Sequence, residues 1–136
     1  MSDAVKQARA TARFYGFEKV LESMPGFATL MRKRPISQLQ LFAGYVWARE
    51  GGKGKCPLVR TKQVKDEKTS WSAYHWEVRT IHLLPRHHDL YSLLHELAHA
   101  FGTRDKLTHG PAFRRRCVRL YKTYGDWNGV VDWERT

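Results

Sequence analysis

The amino-acid sequence predicts an α+β fold in a single domain. Its 136 residues match the usual size of one domain. In several segments apolar residues recur every three to four positions, which is typical of amphipathic helices. Two other segments are rich in β-branched and aromatic residues, which is typical of strands. The 5 Trp, 6 Tyr and 6 Phe provide enough large side chains for a core, so a disordered chain is excluded.

Helices are predicted through most of the first 50 residues. The predicted segments are 4–23, 27–34 and 36–50. Pro25 and Gly26 end the first segment, and Pro35 stops the second. The run Gly51-Gly52-Lys53-Gly54 breaks the chain after the third segment.

A small antiparallel sheet is predicted in the middle of the chain. One strand begins at Leu58, and a second strand is predicted over 72–83. The polar residues 66–70 read as the turn between them, and Pro85 closes the second strand.

Two further helices follow the predicted sheet. Residues 89–101 have leucines on one face, with Asp89 as a candidate N-cap and Gly102 at the C-terminal end. Residues 111–125 form the second helix, in which Pro111 takes the first helical position.

The chain is strongly basic, with a formal net charge of +11 and a pI near 10.0. Residues 71–103 carry almost none of this excess, which lies on both sides of them. Such a distribution favours binding to a polyanion, nucleic acid first, through phosphates rather than by reading sequence. The densest cluster contains Arg114, Arg115, Arg116, Arg119 and Lys122.

The cellular compartment is expected to be the cytoplasm. No window of the sequence is apolar enough for a membrane span, and the N-terminus lacks the apolar stretch of a secretory signal. Cys56 and Cys117 are far apart and form no CxxC pair, so neither a disulfide framework nor a cysteine zinc site is expected. No membrane partner is predicted.

The pentad His95-Glu96-Leu97-Ala98-His99 is the most informative motif. Side chains at positions i and i+4 of a helix lie one turn apart on the same face, so His95 and His99 can both reach one zinc ion. Glu96 can then lie beside the fourth coordination position and act as a general base toward water. The spacing predicts one catalytic Zn²⁺.

A catalytic zinc keeps three protein ligands, and two residues compete for the third place. His109 stands at the start of the next predicted helix, from which it could fold back toward the pentad. Asp105 is the alternative, because it completes an HExxHxxGxxD pattern similar to that of metzincins. Metzincins also need a methionine turn downstream, and every methionine here lies upstream, so we favour His109.

These residues resemble the SprT-like zinc metalloproteases, a family that includes the Spartan-type DNA-dependent proteases. The similar pieces are residues 93–100, the run His109-Gly110-Pro111-Ala112-Phe113, and the strand residues Ile81-His82-Leu83 ahead of them. The resemblance covers roughly residues 72–124 and implies a compact, zincin-like protease domain. It also implies that His95, His99 and His109 hold zinc.

The length of the chain predicts a single domain over 1–136, with an N-terminal part at 1–70, a catalytic core at 71–124 and a tail at 125–136. The resemblance implies protein substrates that are associated with DNA, which the basic clusters would recruit. Two other functions stay open. One is a basic nucleic-acid-binding protein with a structural or vestigial zinc site, and the other is a zinc hydrolase that acts on a cell-envelope polymer.

The donor that would stabilise an oxyanion is not selected by the sequence. His82, Tyr91 and several arginines are available for that role. The histidines outside the pentad and position 109 are expected to be structural or surface residues; they are His75, His82, His87 and His88.

Overall fold

The computed structural model describes residues 2–9, 11–12, 26–66, 70–102 and 109–125. The described residues form helices and a small sheet, so the predicted α+β class is confirmed at that level. The chain divides into two compact units. One contains Met31–Gly102, and the other combines Met1–Leu30 with Thr103–Thr136. The division of a single domain at residues 70 and 124 stays a prediction.

The unit Met31–Gly102 carries the sheet and two of the helices. Its elements in chain order are α3 at Ile36–Arg49, β1 at Leu58–Thr61, β2 at Ala73–His75, β3 at Thr80–Leu83, a 3-10 turn at Pro85–His87 and α4 at Leu90–Phe101. The predicted helices 36–50 and 89–101 and the strand that begins at Leu58 are therefore confirmed. In the described part of the chain, no helix has both the length and the apolar character to cross a membrane.

The sheet is mixed, so the prediction of an antiparallel sheet is wrong for β1. The strand order is β1-β3-β2, with β1 parallel to β3 and β2 antiparallel to β3. A parallel pair needs a long connection, and the chain between Thr61 and Thr80 provides one. That connection contains β2, which takes the far edge of the sheet and leaves the centre to β3.

The predicted strand over 72–83 is two strands joined by a turn at residues 76–79. Arg79 takes a positive φ of 48°, a conformation that non-glycine residues adopt uncommonly. Its guanidinium donates hydrogen bonds to the carbonyl oxygens of Lys53 and Lys55. These contacts with residues outside the hairpin stabilise the turn, which the local sequence does not predict.

One face of the sheet packs on the helices and forms the core of this unit. The inner strand residues Val59, Ile81 and Leu83 are fully buried. They are covered by α3, which packs on β1, and by α4, which packs on β2 and β3. Buried helix residues complete the core: Leu39, Phe42, Ala43, Val46, Leu90, Leu93, Leu94 and Leu97. This packing holds α4 against the edge of the sheet that β2 forms.

The other unit is described in three helical pieces. Helix α1 contains residues 3–9 and 11–12, α2 is Phe27–Met31, and α5 is Pro111–Gly125. The described start of the predicted helix 4–23 and the whole predicted helix 111–125 are confirmed, whereas α2 ends three residues before the predicted 34. Parts of other predictions lie outside the described residues, namely 13–23 of the first helix, 67–69 of the turn and the tail beyond Gly125.

A close backbone approach in this unit requires a glycine. Gly26 has a φ of +83°, and a Cβ at this position would collide with the main-chain carbonyl of Gly125 at the end of α5. Only glycine satisfies both conditions, because it has no Cβ and populates positive φ readily. The turn before α2 and the end of α5 therefore depend on each other.

Candidate metal centre

Helix α4 places the two histidines of the pentad on one face. Asp89 caps the helix by accepting a hydrogen bond of 2.7 Å from the backbone N–H of Ser92. From this start, the leucines of α4 turn toward the core and His95 and His99 turn to a half-buried surface. Their ring centroids are 5.1 Å apart at an interplanar angle of 70°. The predicted same-face arrangement of the two imidazoles is present.

Glu96 is a buried carboxyl group beside this pair. Only 5% of the residue is exposed. Its Oε1 lies 3.7 Å from Nε2 of His95, and its Oε2 has no hydrogen-bond partner among the described residues. A buried polar atom without a partner is costly, so an acid in this state is a candidate for a chemical role.

The environment of Glu96 shifts its proton affinity strongly. Burial raises the pKa of its carboxyl group to about 7, because the charged form loses its hydration. Two weaker influences oppose the rise: the neighbouring His95 and the main-chain N–H of Tyr74 on β2. A carboxyl group with a pKa near neutrality can both accept and return a proton at physiological pH.

His109 belongs to the other unit and stands directly before α5. Its ring is half-buried and packs edge-on against Phe113, with ring centroids 5.2 Å apart. Its Nδ1 lies 3.0 Å from Oγ1 of Thr11 on α1. When one imidazole nitrogen is engaged by a hydrogen bond, the other nitrogen is the one oriented for a metal. Sequence reasoning missed Thr11, because no local signal links it to a residue in the second half of the chain.

The predicted ligand set has the chemistry that zinc requires. Among the described residues, His95, His99 and His109 are a group that could hold a metal ion, and all three rings are half-buried. Neutral imidazole nitrogens are the usual ligands of catalytic zinc. The buried carboxyl of Glu96 next to His95, whose Oε2 lacks a hydrogen-bond partner among the described residues, also fits a site of this kind. The alternative ligand Asp105 lies outside the described residues.

The basic cluster predicted on the last helix lines a cleft. Its volume is about 560 Å³, and its lining combines cationic side chains with the apolar Pro111 and Val118. Four of the five predicted nucleic-acid contacts line it, and Arg116 is not among its lining residues. The lining residues are Pro111, Arg114, Arg115, Val118, Arg119 and Lys122.

Two of the remaining histidines make contacts that are structural. His87 Nδ1 lies 2.8 Å from Oγ of Ser72, and that same hydroxyl accepts the backbone N–H of Leu84. His88 Nε2 lies 3.3 Å from Oγ1 of Thr61. Both contacts tie the 3-10 turn before α4 to the sheet, in agreement with the structural role expected for these residues.

His82 lies on the side of the sheet that faces away from the core. Strand alternation places it opposite its neighbours Ile81 and Leu83, which are buried under the helices. Burial lowers the pKa of His82, and the nearby His75 and Lys62 lower it further. The structure therefore places this oxyanion candidate with the outer face of the sheet and not with the pentad.

Comparison with known proteins gives no match: no protein-family model, no curated protein and no solved structure is similar to this chain.

Proposed function

We propose that this protein is a zinc-dependent metallopeptidase in which His95, His99 and His109 hold the metal and Glu96 is the general base. The observation that carries the proposal is the state of Glu96: a buried carboxyl group with one oxygen, Oε2, that lacks a hydrogen-bond partner among the described residues, and with a pKa of about 7, beside two imidazoles on one face of a helix. A structural zinc site needs no such acid, and its ligands usually include cysteine. A peptidase needs an acid at this place.

The residues of the proposed site would have separate roles in peptide hydrolysis. A bound zinc ion would supply a Lewis acid for the scissile carbonyl and would lower the pKa of the attacking water. Glu96 would take the proton from that water and return it to the leaving amine, so the carboxyl group ends each cycle as it began. The Thr11 hydroxyl would fix the tautomer and orientation of the His109 ring.

DNA-associated proteins are the substrate class that we propose. The cationic cleft along α5 supports this choice, because its arginine and lysine side chains can neutralise phosphates, and phosphate contacts do not depend on base sequence. The net charge of +11 adds a field that attracts polyanions from a distance.

Cleavage of a DNA-binding protein by the purified chain tests the proposal. Glu96→Gln should lower the rate about 100-fold or more while about one zinc ion per chain is retained. Glu77→Gln is the matched control, because that glutamate is exposed in the turn 76–79. Glu96 is not the base if the Gln variant cleaves at the rate of the unchanged protein.

A nucleic-acid-binding protein with a non-catalytic zinc is the second candidate, and the cleft on α5 is the observation that favours it. This alternative predicts DNA binding and zinc binding without cleavage of any protein substrate. It also predicts a fourth protein ligand on the metal, which X-ray absorption spectroscopy of the zinc-loaded protein would detect as a coordination shell without water.

A further inference from the structure

The outer face of the sheet carries cations and aromatic rings. Paired strand residues share a face, so the register places Leu58 and Arg60 of β1 on the same side as His82 of β3 and His75 of β2. Leu58, Arg60 and His75 are exposed to solvent. The outer face is therefore open to solvent at these three residues, whereas Thr80 and Nδ1 of His82 on the same face are buried.

Lys62 and Trp71 extend this face beyond the ends of the strands. The backbone N–H of Lys62 continues the ladder by donating to the carbonyl of Leu83, so alternation places its side chain on the side of Arg60. Its Nζ donates a 3.0 Å hydrogen bond to the carbonyl oxygen of Trp71 and lies 5.9 Å from the centroid of the indole. The lysine thus holds the tryptophan at the margin of the face.

The indole of Trp71 is held in place but not covered. The residue is 70% exposed, although tryptophan is highly buried on average in folded proteins. A pair of imidazole rings lies on the same face, because His75 and His82 meet edge to face with centroids 5.0 Å apart. Open aromatic surface next to cations is the combination that binds unpaired nucleotides, whose bases stack on rings while their phosphates meet positive charge.

The charges of this surface select the same kind of partner. The three strands lie wholly within the described residues and contain no Asp or Glu, whereas Arg60 and Lys62 are positive. Glu77 is the acidic residue of the turn 76–79 that joins β2 to β3. Bases inside a duplex are stacked on each other and cannot reach an indole, so the aromatic part of the surface favours a single strand.

We propose that the outer face of the sheet, formed by Arg60, Lys62, Trp71, His75 and His82, binds single-stranded nucleic acid by base stacking on Trp71 and phosphate contacts to the two cations. This surface is proposed in addition to the nucleic-acid contacts proposed for the cleft on α5. It concerns binding alone and stands whether or not the protein cleaves peptide bonds.

Binding of a fluorescent oligothymidylate of about 15 nucleotides to the full chain tests the proposal by anisotropy. Trp71→Ala should weaken binding about five-fold or more, and Trp71→Phe should restore most of the loss. Tyr45→Ala is the matched control, because this tyrosine is an exposed ring on α3 in the same unit; it should leave the affinity unchanged. Thermal melts show whether each variant is folded.

The salt dependence separates stacking from phosphate contacts. Arg60→Gln should reduce the slope of log K against log salt by about one, whereas Trp71→Ala should lower the affinity without a change of slope. The proposal is overturned if Trp71→Ala binds the oligonucleotide as tightly as the unchanged protein.

Discussion

The hydroxyl of Thr11 lies 3.0 Å from Nδ1 of His109, although the two residues are 98 positions apart in the chain. Hydrogen bonds of this kind fix the tautomer and the orientation of a histidine that ligates a metal. The apolar spacing of α1 does not reveal this contact.

Thr11→Val keeps the shape of the side chain but removes the hydroxyl. If His109 is a zinc ligand, the affinity for zinc should fall about 10- to 100-fold, because the ring loses the partner that orients it. Competition with a chromogenic chelator measures that affinity independently of any activity. Thr11→Ser is the control that keeps the hydroxyl and should bind zinc like the unchanged protein. Equal zinc affinity in the Val and Ser variants would contradict a role for Thr11.

The protein stripped of metal should become less stable as the pH rises through neutrality. The carboxyl of Glu96 has a pKa of about 7 in the folded chain against an ordinary value of 4.5. The folded state therefore holds this proton more tightly than the unfolded state does. The free energy of unfolding is therefore lowered by the ionisation of the buried Glu96. This loss is absent below the unfolded pKa, grows above it, and is fully present above pH 7, where it reaches about 3 kcal/mol.

Glu96→Gln removes this titration and should flatten the pH dependence. Urea unfolding of the EDTA-treated proteins near pH 5 and near pH 8 measures the effect. The stability advantage of the Gln variant should grow by about 2–3 kcal/mol between the two conditions. Glu77→Gln, an exposed control, should give the same difference from the unchanged protein at both pH values. If the stability advantage of Glu96→Gln is the same at both pH values, the Glu96 carboxyl does not titrate in the folded protein as expected.

Sequence patterns predicted the parts of the fold that depend on local signals. Helix α4 is the best example, since its N-cap Asp89, its leucine spacing and its terminal Gly102 all act within a few residues. The same local spacing predicted the paired rings of His95 and His99. The burial of Glu96 was not predicted, because it depends on how α4 packs against the sheet.

The features that the sequence did not reveal depend on distant contacts. The turn at 76–79 needs Arg79 to reach the carbonyls of Lys53 and Lys55, which lie more than 20 residues earlier. The parallel pairing of β1 with β3 depends on which strand lies at the centre of the sheet. Because β1 and β3 have similar compositions, their sequences do not predict which of them that is. Neither feature can be predicted from the sequence of one segment alone.

The cap of α4 should contribute measurably to stability. Asp89 is 1% exposed, accepts the Ser92 N–H through Oδ1, and lies 3.5 Å from Nζ of Lys33 through Oδ2. Asp89→Ala should lower the free energy of unfolding by about 1–2 kcal/mol, because the helix loses its N-cap acceptor. Asp89→Asn keeps an acceptor oxygen and should retain most of that stability. Urea unfolding near neutral pH measures both variants, and equal losses would assign the effect to the ion pair with Lys33.

The cleft on α5 makes a distinct prediction about duplex DNA. Arg115 and Lys122 are exposed and line the cleft, whereas Arg116 lies on the same helix but outside the lining. If the cleft holds phosphates, Arg115→Gln and Lys122→Gln should each reduce the slope of log K against log salt by about one. Arg116→Gln changes the net charge by the same amount and should leave the slope nearly unchanged. Anisotropy titrations of a short duplex over a range of salt concentrations measure these slopes. Equal slopes in all three variants would mean that net charge, and not the cleft, attracts the DNA.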